Sequence, residues 1–239
     1  MKASQIRVCV LRIEGTNCEE ESYLAFRRLG TKPEKVHLKQ LIGMDVSHEE
    51  KRSLSDYHVL VIPGGFSSGD YVRAGAIFAA RMKSRLSKDL VDFVKSGKPL
   101  LGICNGFQIL IEAGLLPGAL LRNASLRFVC KWTNLKVESA DTAFTCSFEK
   151  NTRVRMPIAH NEGRFFSDDA LLRTLERNKQ IVMRYSGENP TGTLEDIVAV
   201  SNVDANVVGM MPHPERASSS SLGGTDGLKV FQSMMEWVQ

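Results

Sequence analysis

The sequence has 239 residues, 43% hydrophobic and 24% charged, a balance close to that of ordinary globular proteins that excludes disorder, fibrous repeats and a disulfide scaffold. Its net charge of +4 comes with no arginine or lysine tract interleaved with aromatics, so nucleic acid is not an expected partner. The five cysteines, Cys9, Cys18, Cys104, Cys130 and Cys146, are odd in number and contain no CxxC pair, which argues against a zinc site or disulfide framework and for a reducing compartment. No apolar leader opens the sequence and no run approaches the roughly 20 apolar residues of a membrane span. A cytoplasmic protein without membrane contact is expected.

Ile6 to Ile13 reads as a buried strand, followed by the polar turn Glu14-Gly15-Thr16-Asn17 and a helix from about Cys18 to Leu29. The same strand-turn pattern recurs at His58 to Ile62, stopping at Pro63-Gly64-Gly65. It recurs again at Pro99 to Ile103, stopping at Cys104 and turning into a helix that runs to Gly114. Apolar strands alternating with helices imply an α/β fold with a mostly parallel, flavodoxin-like sheet. After Pro117 shorter β-like pieces follow, around Leu126 to Trp132, Leu135 to Val137, Val154 to Ile158 and Ile181 to Tyr185, as expected of an antiparallel extension. Ile197 to Val203 and Val207 to Met211 read as two strands joined by Asp204-Ala205-Asn206, before a closing helix from about Gly227 to Val238. No Pro/Gly/Ser stretch is long enough to divide the chain, so residues 1–239 are expected to form one domain, with Ser218 to Gly224 a mobile loop.

Gly102-Ile103-Cys104-Asn105-Gly106 places a cysteine between a strand and a helix with glycine two residues to either side, the pattern of a nucleophile elbow. A helix N-terminus there would favour the reactive thiolate. Taken alone, the pattern fits a buried cysteine at a tight turn equally well. Met211-Pro212-His213-Pro214-Glu215 lies at a strand end, and its prolines push the preceding residues into extended conformation. Residues two apart on an extended chain project to one side about 6.5–7 Å apart, so Glu215 could orient the His213 imidazole. Taken alone, this segment reads as a solvated loop. Pro63-Gly64-Gly65 closes a third strand, where a glycine N–H together with that of Asn105 could form an oxyanion hole, although taken alone the segment reads as a plain strand-to-helix turn. Jointly the three segments supply nucleophile, base with orienter, and oxyanion donors for acyl transfer.

In this order, PGG, GxCxGxQ (Gly102 to Gln108) and HPE, the chain resembles the class I glutamine amidotransferases. Over nearly its whole length it is similar to the small glutaminase subunits of phosphoribosylformylglycinamidine synthases, through GGFSSGDYVRAGA from Gly64, GICNGFQIL from Gly102, PIAHNEGRF from Pro157 and MPHPERA from Met211. The chain departs from several members of the family at Asn161, where they read AHGEG, and at Ser68, where they carry a tyrosine or another residue; neither departure touches the triad.

The resemblance implies Cys104 as nucleophile, His213 as general base and acid, Glu215 as its orienting carboxylate, and the Gly65 and Asn105 amides as the oxyanion hole. It also implies Gln108, Phe66 and His160 as walls of the glutamine pocket, with Arg73 and Arg164 as further pocket or partner contacts. Glutamine would be the substrate. A large ATP- and Mg²⁺-using synthetase subunit and a small accessory subunit would be the partners, with no metal or organic cofactor in this chain. The other cysteines read as core or incidental thiols. A glutaminase of another amidotransferase, a cysteine peptidase on a related fold, and a scaffold subunit without activity are the competing readings.

Overall fold

The computed structural model describes residues 1–239. Strand β1 (Arg7–Arg12) carries Val8-Cys9-Val10-Leu11, all fully buried, and helix α1 (Glu19–Arg28) follows. An unbroken apolar run marks a strand covered on both faces. Next come β2 (Lys32–His37), the short α2 (Leu38–Ile42), β3 (Val59–Ile62), the long α3 (Ala76–Lys95), β4 (Leu100–Ile103) and α4 (Asn105–Glu112). The second half adds β5 (Ala119–Leu121), β6 (Val129–Val137), β7 (Arg153–His160), β8 (Arg164–Phe166), α5 (Asp169–Arg177), β9 (Ile181–Tyr185), β10 (Ile197–Ser201), β11 (Val207–Met210) and α6 (Leu228–Trp237).

Nine strands form one sheet in the order β2-β1-β3-β4-β11-β10-β9-β6-β7. The members from β2 to β11 pair in parallel, and those from β11 to β7 pair antiparallel. The α/β expectation with an antiparallel extension is met, and β5 with β8 makes a separate two-stranded piece. Parallel strands end with their carboxyl ends at one edge, where open α/β sheets place their ligands. Strands β4 and β11 are neighbours in register, Met210 beside Ile103, so the segments after them leave the sheet side by side.

Several elements depart from the sequence expectation, three of them in ways that show why. Strand β2, Lys-Pro-Glu-Lys-Val-His, buries only Val36, because it is an edge strand with one covered side, and so it carries no apolar run. Leu126 to Trp132 and Leu135 to Val137 are not two pieces: Val129–Val137 runs unbroken through Thr133 and Asn134, pairing with β7 and then β9. The segment expected as a loop at Ser218 to Gly224 is folded into short turns closed by a Ser219–Gly224 bridge against the Trp132 ring.

The glycines flanking Cys104 are explained by packing. A Cβ on Gly106 would lie 1.9 Å from the Ile62 carbonyl oxygen, and one on Gly102 would lie 2.6 Å from the Gly106 oxygen. Helix α4 therefore rests directly on the backbone of β3 and β4. In Gly106→Ala the helix must lift from the sheet, at a cost of about 1–3 kcal/mol for overpacking. A lower midpoint of urea unfolding, together with slower alkylation of Cys104, is the expected result; an unchanged midpoint would contradict the close approach.

Candidate active site

Cys104 sits at the turn from β4 into α4 with φ 51° and ψ −104°, a conformation that costs an L-residue on the order of 1–3 kcal/mol. Its backbone is held from both sides: its N–H donates to the Met210 carbonyl at 2.7 Å and its own carbonyl accepts from the Gln108 N–H at 3.2 Å. The strain turns the side chain out of the sheet edge, where Sγ lies 3.8 Å from the Ala159 carbonyl oxygen.

His213 leaves β11 beside it, its N–H donating to the Pro157 carbonyl at 2.8 Å. His213 Nδ1 and Glu215 Oε1 are 2.6 Å apart, and both side chains are buried. The route differs from the extended pair expected: Pro214–Ala217 is a 3₁₀ turn, and Glu215 reaches back from inside it. Pro214 causes this, since its fixed φ suits the first position of a helical turn. Burial alone would keep the imidazole neutral, but the Glu215 carboxylate, and after it the Cys104 sulfur, outweigh burial and raise His213 well above its ordinary value. His213 Nε2 and Glu215 Oε2 are buried without a hydrogen-bond partner.

The Pro63-Gly64-Gly65 turn is clamped by the β1–α1 loop. The Gly64 carbonyl accepts from the N–H groups of Asn17 at 3.2 Å and Cys18 at 3.1 Å, while the Phe66 N–H donates to Gly15 at 2.8 Å. Gly65 has φ 150°, and a Cβ there would lie 2.6 Å from the Asn17 nitrogen, so only glycine fits. The Gly65 and Asn105 N–H groups have no acceptor within the protein. The Asn105 side chain joins the elbow to the Gly65 loop: Oδ1 accepts from the Ser67 N–H at 3.2 Å, and Nδ2 donates to Gln108 Oε1 at 2.8 Å and Asp70 Oδ1 at 3.4 Å.

A cavity of about 190 Å³ opens over Cys104, walled by Gly65, Phe66, Asp70 and Ala74 on one side and by Gln108 and Ala159 to Glu162 on the other. All three expected wall residues, Gln108, Phe66 and His160, are there. Gln108 is committed within the protein, since Nε2 donates to the Glu162 carbonyl at 2.6 Å, so it shapes the wall rather than offering its whole amide. His160 is buried and neutral: burial, with His213 nearby, lowers it to about 3. Asn123 donates through Nδ2 to the His160 and Arg127 carbonyls, which leaves its Oδ1 to accept from His160 Nδ1 at 3.1 Å; the lone pair of His160 is therefore on Nε2.

Asn161 lines the cavity, whereas Ser68 lies outside it in a left-handed turn. Arg73 is exposed and paired with Glu112, and Arg164 lies off the cavity wall. Sequence reasoning missed Asp70 and Glu162; Asp70 stands in the FSSGDY run, and burial raises its carboxyl above the usual range. Cys18 is buried, as expected of a core thiol, but its sequence context does not disclose that it sits against His213. The donor atoms of Cys18, His213 and Glu215 lie within 4.8 Å of one another, but Arg216 Nη2 stands 3.1 Å from Cys18 Sγ, and its charge opposes a cation there. Four larger clefts, of about 300 to 430 Å³, contain no cysteine.

The CobB/CobQ-like glutamine amidotransferase domain matches residues 5–238. The chain is 44% identical over 270 residues to the phosphoribosylformylglycinamidine synthase subunit PurQ of Archaeoglobus fulgidus, covering 100% of this chain and 99% of the relative. It is 46% identical over 242 residues to the same subunit of Pyrococcus furiosus, covering 98% and 99%. A chain of the solved PurLQS structure from Thermotoga maritima superposes with a TM-score of 0.84 at 42% identity, over 98% of this chain and 100% of that one. A glutamine amidotransferase from Thermotoga maritima shares the fold, with a TM-score of 0.60 at 18% identity over 98% and 99%. With a nucleophile elbow, an HPE turn and full-length likeness to these subunits, the chain belongs to the CobB/CobQ-like glutamine amidotransferase family and, within it, to the PurQ subunits of phosphoribosylformylglycinamidine synthase.

Proposed function

We infer that the chain is the glutaminase subunit of a phosphoribosylformylglycinamidine synthase, acting in the cytoplasm and passing ammonia to an ATP-dependent synthetase subunit. One observation carries the chemistry: a strained, outward-turned Cys104 lies beside a buried His213 that is held 2.6 Å from Glu215. The Cys104 thiolate attacks the γ-carboxamide carbon of glutamine, and the oxygen charge that develops is met by the Gly65 and Asn105 N–H groups. The C–N bond breaks as His213 gives its proton to the departing nitrogen, releasing ammonia and leaving a γ-glutamyl thioester. His213, now neutral, takes a proton from water. The resulting hydroxide adds to the thioester carbon, and the C–S bond breaks to give glutamate and restore the thiolate.

Asp70 and Glu162, at the cavity wall, place carboxyl groups where they suit the α-ammonium of glutamine. The half-reaction needs no metal or organic cofactor in this chain; ATP and Mg²⁺ belong to the synthetase subunit. Docking of that subunit, with a small accessory subunit, is supported by apolar side chains exposed next to the cavity mouth, Phe66, Tyr71 and Val72. Glutamate release from glutamine, measured with and without the synthetase, tests the reading. Stimulation by the synthetase is expected. Full activity of the isolated chain, unchanged by the partner, would refute partner control, and peptide cleavage without glutamine turnover would refute the glutaminase.

A further inference from the structure

Glutamine hydrolysis by the triad needs one sulfur, and the site holds two. Cys18 heads helix α1, is 2% exposed, and ties into the Gly64 turn through its own N–H. A Cβ placed on Gly64 would lie 2.9 Å from His213 Cε1, 3.3 Å from Cys18 Sγ and 3.5 Å from Cys104 Cβ, so both sulfur-bearing side chains crowd one imidazole. On its far side Cys18 Sγ accepts a hydrogen bond from Arg216 Nη2 at 3.1 Å. Arg216 directly follows Glu215, whose Oε2 is buried and unpartnered. A guanidinium so placed would ordinarily fork onto a bare carboxylate oxygen. Here it is held on sulfur instead.

We propose that Cys18 is a positioning residue for glutamine hydrolysis: its sulfur anchors the Arg216 guanidinium away from Glu215, so that the carboxylate stays committed to His213. This rests on the reading of His213 as the base for Cys104. Burial keeps Cys18 a neutral thiol at physiological pH, so the sulfur serves as an acceptor without adding a charge that would compete with the Cys104 thiolate. The groups facing His213 are Glu215 from its own turn, Cys104 from the β4–α4 elbow, Cys18 from the start of α1 with Arg216 behind it, and neutral His160 from the end of β7. Of these, only the Arg216 guanidinium has an alternative partner within its own turn. Without the sulfur two carboxylates attract it, Glu215 more strongly than Glu21 of α1; it would take Glu215, and the imidazolium would lose its counter-charge.

The test is glutamate release across pH by the complex with the synthetase, comparing Cys18→Ala, Cys18→Ser, Arg216→Gln, the double variant Cys18→Ala/Arg216→Gln, and Cys104→Ala. In Cys18→Ala, kcat is expected to fall about tenfold or more with KM within about twofold, a loss of the size that proton-transfer defects produce. The alkaline descending limb of kcat/KM, which reports loss of the His213 proton, should move about one unit to lower pH as its counter-charge is taken. Cys18→Ser, which keeps an acceptor for Arg216, should return the limb. The double variant should return it too, because no guanidinium is left to compete. Arg216→Gln alone should leave the limb at or above its original position. An unmoved limb in Cys18→Ala, or a double variant whose limb stays low, would overturn the proposal. A Cys104→Ala complex that still released glutamate would overturn the triad reading itself, and the positioning role with it.

Discussion

Cys104→Ala is expected to remove glutamine hydrolysis by a factor of at least about 10⁴ while leaving the fold unchanged, since deleting a covalent nucleophile removes the whole acyl-enzyme route. Alanine keeps the Cβ that the elbow already accommodates at φ 51°, so no new strain is introduced. The urea midpoint should therefore match that of the unaltered protein. The complex should still amidate its nucleotide substrate when ammonium salt replaces glutamine. Loss of both glutamine- and ammonia-dependent reactions would show that the substitution had damaged docking rather than chemistry.

Glu215→Gln should cost about 10³–10⁴ in kcat, by the logic of a triad whose orienting carboxylate is made neutral. The shape is nearly conserved, and Nδ1–H can still donate to the amide oxygen 2.6 Å away, so the loss is one of charge. Burial, the largest influence on His213, then prevails and lowers its imidazole towards the neutral form. A sign follows for stability. A folded-state value raised above the unfolded one contributes stability that is fully present below about pH 6.5 and fades as pH rises through the folded value. The stability gap between parent and variant should accordingly be widest in mildly acidic solution and narrow towards alkaline pH. Urea unfolding at several pH values measures it, and a gap that widens with pH would contradict the ion pair.

The parts of the site legible in the sequence are those fixed by local backbone. Gly102 and Gly106 mark an elbow because a Cβ at either would collide with neighbouring backbone, and that requirement is written in residue identity. Pro214 marks the turn that brings Glu215 back to His213, although the same proline made the segment look extended. What was not legible depends on chain segments that meet only after folding. Cys18 looked incidental because its partners, His213 and Arg216, come from the other end of the chain. The neutrality of His160 comes from burial and from Asn123, neither of which its PIAHNEGRF context discloses. In the fold, β2 was invisible because an edge strand needs only Val36 inside. Helix α3 does carry a sequence signal, since Phe78, Met82, Leu86, Leu90 and Phe93 recur at helical spacing on one buried face.

The placement of β11 next to β4 bears on when the thiol can become reactive. The nucleophile strand and the base strand are separated by nearly half the chain, and the antiparallel strands β6, β7, β9 and β10 are all made between them. Such long-range parallel pairing is assembled late, since loop closure must precede the contacts that reward it. A nascent or partly folded chain thus carries Cys104 without His213. Ammonia release is therefore expected only of molecules whose central sheet is complete.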